Sequence, residues 1–179
     1  MEEITDQSTF NHRRTPATAW DYTFALARHE DIYEITSLYR SLIGTPGCTW
    51  DEDYPNQETV ENDMSNGWLY ILKIQNEVMG VVSIGDFGEL GDLNWRPKNP
   101  CELARIGVRP MLQKQGIGTL LLQHCFEIVK NEGFDGIRIL VAKINVAAIA
   151  LYEKNGFERC GEVNKFDIDF YCYRIVFYI

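Results

Sequence analysis

Apolar and polar positions alternate along this chain with two rhythms, and the rhythm changes where a helix should give way to a strand. Ile32, Ile35, Leu38, Tyr39 and Leu42 recur at helical spacing over 31–43. Asp31 is placed to cap that helix, and Gly44, Pro46 and Gly47 end it. A shorter helix is predicted over 58–64, with Asn56 as its cap. Over 118–130, Ile117, Leu121, Cys125 and Val129 form one stripe, with Leu122 and Phe126 beside it. Gln123, His124, Glu127 and Lys130 fall on its wetter side, and Gly133 suits the C-terminal cap. A last helix is expected over 145–155, closed by Gly156.

Between these helices lie runs with strand character, over 22–28, 68–75, 78–87, 102–109, 137–142, 158–163 and 170–179. The second and third form a hairpin across Asn76-Glu77. Residues 137–142 are apolar except for Arg138, and 88–100 is a loop rich in Gly, Pro and Asn. The order β-α-α-β-β-β-α-β-α-β-β predicts an α/β chain with a mixed sheet and helices packed on it. Residues 1–19 are polar and read as an N-terminal extension, which leaves 20–179 as a single domain.

Composition narrows the function classes. No run of about 18 apolar residues occurs, so no membrane span is expected. The acidic N-terminus lacks the apolar stretch of a signal peptide. Five cysteines with no C-x-x-C pair argue against a disulfide framework or a zinc site; no metal is expected, and a reducing cytoplasm fits. A net charge of −9 argues against nucleic acid as the main partner. The charge is uneven. Asp51, Glu52, Asp53, Glu58, Glu61 and Asp63 have no Lys or Arg among them, whereas 101–119 holds Arg105, Arg109 and Lys114 against Glu102 alone. The acidic stretch reads either as a solvated face or as a mouth that attracts an amine.

The strongest chemical signal is Gln113-Lys114-Gln115-Gly116-Ile117-Gly118, set between a predicted strand and a predicted helix. Free N–H groups at a helix N-terminus carry partial positive charge, and glycines let another molecule approach the backbone. The turn is therefore a candidate site for a pyrophosphate or similar anion. It is not the dinucleotide-binding fingerprint, since G-x-G-x-x-G after the first strand is absent.

A second motif follows: Asn145-Val146-Ala147-Ala148-Ile149-Ala150-Leu151-Tyr152-Glu153-Lys154-Asn155-Gly156-Phe157. Together with Gln113-x-x-Gly116-x-Gly118, it resembles the GNAT superfamily of N-acetyltransferases over roughly residue 22 to the C-terminus. The resemblance implies a mostly antiparallel central sheet with one splayed parallel strand pair and helices on both faces. It implies acetyl-CoA as acyl donor, with the pyrophosphate on the backbone of Gln113, Lys114, Gln115, Gly116, Ile117, Gly118 and Thr119. It sets the pantetheine arm along Ile106, Gly107 and Val108, with Asn145 near the arm and Tyr152 near the thioester sulfur.

The chemistry is consistent with those roles. A thiol with pKa near 8.5 and a tyrosine near 10 make proton transfer from Tyr152 to the leaving sulfur roughly balanced. A main-chain N–H such as that of Val108 can face the developing oxyanion. A lysine-like amine near pKa 10.4 costs about 4.6 kcal/mol to deprotonate at pH 7, against about 1–1.4 kcal/mol for an α-amine. Glu102 is the candidate general base, directly or through water. Trp50, Tyr54 and Trp95 are candidates to line the acceptor pocket, or they cover the edge of the core. The expected partner is a small-molecule or peptide amine, and the protein a monomer or homodimer. The rival reading is a silent acyl-CoA sensor or assembly module of the same fold.

Overall fold

The computed structural model describes residues 20–88, 90 and 97–177, and its helices and strands follow the predicted order. They are β1 (Tyr22–Leu26), α1 (Ile32–Leu42), α2 (Gln57–Ser65), β2 (Leu69–Ile74), β3 (Glu77–Gly85) and β4 (Pro100–Val108), then α3 (Ile117–Asn131), β5 (Gly136–Ala142), α4 (Val146–Lys154), β6 (Glu158–Lys165) and β7 (Ile168–Val176). The extension 1–19 and Trp95 lie outside the described residues. Among the described residues, no helix is long and apolar enough to cross a membrane.

The seven strands form one sheet in the order β1-β2-β3-β4-β5-β7-β6. Every neighbouring pair is antiparallel except β4 with β5. On one face α1 and α2 bury Ile35, Leu38, Tyr39 and Val60 against Leu69, Ile71, Val78 and Val81. On the other, Leu121, Cys125 and Val129 of α3 pack with Ile137, Ile139, Tyr152 and Phe157. The helical stripes read from the sequence are the buried faces, because only those rows can leave water on both sides of the sheet. The aromatic segment near the C-terminus forms β7, which lies between β5 and β6 and completes the sheet.

Three local readings are corrected. The β2–β3 turn is centred on Gln75 and Asn76, one residue early, because both adopt left-handed φ values of 52° and 65°, as a two-residue hairpin turn requires. Asp31 does not cap α1 with its side chain. Its carboxylate accepts the Arg28 N–H at 2.8 Å and pairs with Lys73 at 2.5 Å, fixing a short 3-10 turn ahead of the helix. His124 is not on a wet face. β1 lies over it, its ring stacks on Phe24 at 4.4 Å, and it shares a hydrogen bond with the Tyr22 hydroxyl at 3.1 Å.

Burial holds the His124 pKa below its ordinary 6.5. The unfolded chain then takes up this proton first as pH falls, so His124 contributes stability above pH ~6.5 that is lost on acidification through its folded pKa. Thermal unfolding should show Tm falling between pH 7.5 and 5.5, with a shallower fall in His124→Gln; equal slopes would remove His124 from the effect.

Candidate active site

The site begins where β4 and β5 part. Their parallel ladder covers only Pro100–Glu102 against Gly136–Arg138. Beyond Glu102, β4 stays with β3, and β5 stays with β7. Arg109 gives its N–H to the Met79 carbonyl at 2.9 Å. Successive strand amides alternate sides, so the Val108 N–H points away from β3, into the gap.

Just before this stretch β4 carries a bulge. Ser83 pairs with Ala104 and Val81 with Gly107, so Arg105 and Ile106 together oppose Val82. Arg105 adopts φ 50°. Gly107 faces α1: a Cβ there would lie 2.9 Å from Leu42 and 3.7 Å from Trp50. Its missing side chain therefore admits the helix against the strand.

From the end of β4 the chain makes a 3-10 turn over Pro110–Leu112 and enters α3 through the glycine turn. Gln113, Lys114, Gln115 and Gly116 are all exposed. The Gln113 side chain donates to the Val108 carbonyl at 3.2 Å and the Gln115 side chain to Met111 O at 2.9 Å, which pins the turn and leaves its backbone outward. Gly116 precedes the helix with φ 88°, and no atom lies within 4 Å of the place a Cβ would take. The first main-chain bond of α3 runs from the Leu120 N–H to the Gly116 carbonyl at 3.0 Å. The amides of Ile117, Gly118 and Thr119 thus open the helix without a carbonyl behind them. At Gly118 a Cβ would lie 3.0 Å from Leu151, so this glycine brings α4 against α3.

Asn145 caps α4, its Oδ1 accepting from the Ala148 N–H at 3.1 Å. The loop between α1 and α2 crosses to meet it: a Cβ on Gly47 would lie 2.7 Å from the Asn145 Cα. Trp50 sits in this loop, edge-on to Tyr39 at 5.3 Å, and therefore covers the core under α1 and α2 beside Gly107.

Tyr152 is 2% exposed and packs edge-on to Phe157 at 5.4 Å. Its hydroxyl makes no hydrogen bond to any described residue. Burial, with the Cys125 thiol nearby, pushes its pKa above the ordinary tyrosine value. Glu102 is equally buried, in the last rung of the parallel ladder. Arg138, directly across from it, donates Nε at 3.0 Å and an η nitrogen at 2.5 Å, both to Oε1, while Oε2 accepts the Phe87 N–H at 3.3 Å. Burial raises the carboxyl pKa and the Arg138 charge opposes the rise; the net direction is upward.

The hydrophobic pattern does not single out a second polar cluster on the α1/α2 side. Arg105 grips Asp63 through Nε at 2.9 Å and an η nitrogen at 2.8 Å, and donates to the Tyr54 hydroxyl at 2.9 Å. Asp63 also accepts from the Ser83 hydroxyl at 2.5 Å, and the guanidinium lies 4.7 Å from the centre of the Phe87 ring. The sequence signal for Asp63 is its place at a core position of α2, three residues after Val60. The acidic stretch is a solvated face at Asp51, Glu52, Asp53, Glu58 and Glu61, all exposed, and departs from it only at Asp63, which is buried. Among the described residues, no cluster of His, Cys, Asp or Glu is arranged to hold a metal.

Comparison with known proteins agrees with this geometry. The family model for the acetyltransferase (GNAT) family matches residues 29–157. The [ribosomal protein bS18]-alanine N-acetyltransferase of Escherichia coli is 42% identical over 55 residues, covering 31% of this chain and 37% of that protein. The chain spans between 37% and 52% of the length of the curated relatives it matches first. A GNAT-family acetyltransferase structure from Streptococcus agalactiae superposes with TM-score 0.73 at 20% identity, covering 88% of this chain and 96% of that one. The structure of yncA from Salmonella typhimurium, which contains its cofactor acetyl-CoA, superposes with TM-score 0.66 at 21% identity, covering 87% and 93% of the two chains. A model match over most of the chain, a sheet that splits between its parallel strands and a glycine turn opening the next helix together make this chain a member of the acetyltransferase (GNAT) family.

Proposed function

We propose that this protein transfers an acetyl group from acetyl-CoA directly to an amine, without a covalent acyl-enzyme. The observation that carries the reading is the open gap between β4 and β5, with the Val108 amide facing it and the outward glycine turn at its mouth. Acetyl-CoA fits these residues: its diphosphate suits the amides of Gly116, Ile117, Gly118 and Thr119, and its arm suits the β4 edge over Ile106, Gly107 and Val108, where Gly107 pairs with Val81 of β3 and the Val108 amide faces the gap, with Asn145 as a further proposed contact. It supplies the acyl group as a thioester. The Val108 N–H stabilises negative charge building on the carbonyl oxygen. Tyr152 gives its hydroxyl proton to the departing sulfur. Burial raises the Tyr152 pKa, and the same apolar surroundings raise that of a thiol held beside it, so the two stay matched.

Glu102 is the proposed base, through Oε2 and a water, since Arg138 occupies Oε1. An α-amine acceptor makes the least demand on such a base, because its neutral form costs only about 1–1.4 kcal/mol at pH 7. The relative that acts on an alanine of a ribosomal protein supports the same class. Trp50 and Tyr54 are the proposed acceptor wall.

Release of free thiol from acetyl-CoA across a panel of peptide N-termini, amino acids and alkylamines tests the reading. Turnover fastest with α-amines supports it; tight binding of acetyl-CoA with no turnover on any amine assigns the protein as a sensor instead. Gly116→Ala tests the diphosphate placement. A left-handed alanine costs about 1–2 kcal/mol, and its methyl enters the anion's space. The expected result is a KM for acetyl-CoA raised about tenfold with a Tm loss of only about 2–8 °C; an unchanged KM would contradict the placement.

A further inference from the structure

The one non-glycine residue of β4 with a left-handed backbone is also the most heavily clamped. Arg105 has φ 50°, a conformation costly for a residue with a Cβ and one that persists only where the surroundings impose it. The surroundings here are unusually complete. Asp63 of α2 takes two of its nitrogens, Tyr54 takes a third, and Phe87 lies beneath the guanidinium plane. The Arg105 and Asp63 side chains are only 8% and 2% exposed. Ser83, which pairs across the sheet with Ala104, bonds to the same carboxylate and ties the clamp to β3 opposite the bulge.

The bulge decides which amides face the gap. It inserts one extra residue between Ala104 and Gly107. Without it the alternation after Ala104 would slip by one, and the Val108 N–H would turn from the gap toward β3. We infer that Arg105 is a positioning residue for acyl transfer: its clamp to Asp63 and Tyr54 holds the β4 bulge that keeps the Val108 amide aimed between β4 and β5. Tyr54 is 45% exposed, so one end of the clamp reaches the surface while the other is buried against β3 and β4. The inference rests on the transfer reading for its catalytic consequence, but not for its structural one.

The test compares Arg105→Ala with Arg105→Gly in the full chain. Both lose the guanidinium and leave Asp63 without it, so any loss from the ion pair alone is common to them. They differ in that glycine holds a left-handed φ without strain. The expected result is kcat lowered at least tenfold in Arg105→Ala, about fivefold less in Arg105→Gly, and acetyl-CoA affinity by calorimetry changed less than threefold in both. A merely structural arginine would lower Tm in both and leave their kcat per folded molecule equal to each other and to the parent, which would overturn the inference. Amide hydrogen exchange gives a readout without turnover: the Val108 amide should be more protected in Arg105→Ala than in the parent as it turns onto β3, and unchanged protection would also overturn it. A parent protein that acetylates no amine would sink the transfer reading, while the exchange measurement would still decide the clamp.

Discussion

Tyr152→Phe should lower kcat by about a hundredfold or more while leaving acetyl-CoA affinity within a factor of two. The change deletes one oxygen from a ring that is otherwise enclosed by Phe157 and the α3 core. The oxygen holds no described residue by a hydrogen bond, so the fold has no need of it, and Tm should stay level or rise. What is lost on the proposed reading is a proton source, and positioned proton transfer contributes typically about 10²–10⁴-fold. Because burial raises the Tyr152 pKa, the hydroxyl stays protonated through neutral pH and beyond. An alkaline limb in the rate below pH 9 therefore belongs to another group and should persist in the variant. Equal kcat in the two proteins would remove Tyr152 from the chemistry.

The largest stability effect is expected at Arg138. Arg138→Met removes the cation that faces a carboxylate only 2% exposed. Breaking a buried pair from one side typically costs about 3–5 kcal/mol, because the remaining charge is stranded, and for a chain of this size that is a Tm loss of about 6–20 °C. The sign of the pH dependence follows. In the variant the folded Glu102 pKa rises further above its unfolded value near 4.3, so the folded state binds the proton more tightly. The penalty is full above the raised pKa and shrinks as pH falls toward 5. Adding Glu102→Gln to Arg138→Met should return much of the lost Tm at pH 7.5, since an amide carries no charge to strand. A Tm loss under 2 °C at pH 7.5 would show that the pair contributes little.

The order of elements and both buried faces were legible from apolar spacing because that spacing is itself the physical cause of burial. The glycine turn and Asn145 were legible for a similar reason, since helix ends advertise their needs locally. The long-range polar contacts were not. Asp63 and Arg105 lie far apart in the chain, and nothing local to either announces the other. Arg138 stood out as the one charge in an apolar strand, but its partner across the parallel ladder depends on register, which spacing alone does not fix. His124 looked wet because the helix pattern cannot show that β1 folds across it. The β4 bulge was invisible for the same reason: a residue such as arginine gives no hint of a left-handed backbone until its neighbours are in place.

The short parallel ladder has one more consequence. The strands β1 to β4 and β5 to β7 make two half-sheets joined edge to edge by three residue pairs, with Glu102 and Arg138 as the bolt at the end of the seam. On the proposed reading, a donor lying along the open edge supplies the rungs the protein itself omits. Ligand binding then stiffens the molecule across its own midline, and at a hundredfold excess over Kd the linkage adds about 2.7 kcal/mol to the folded state.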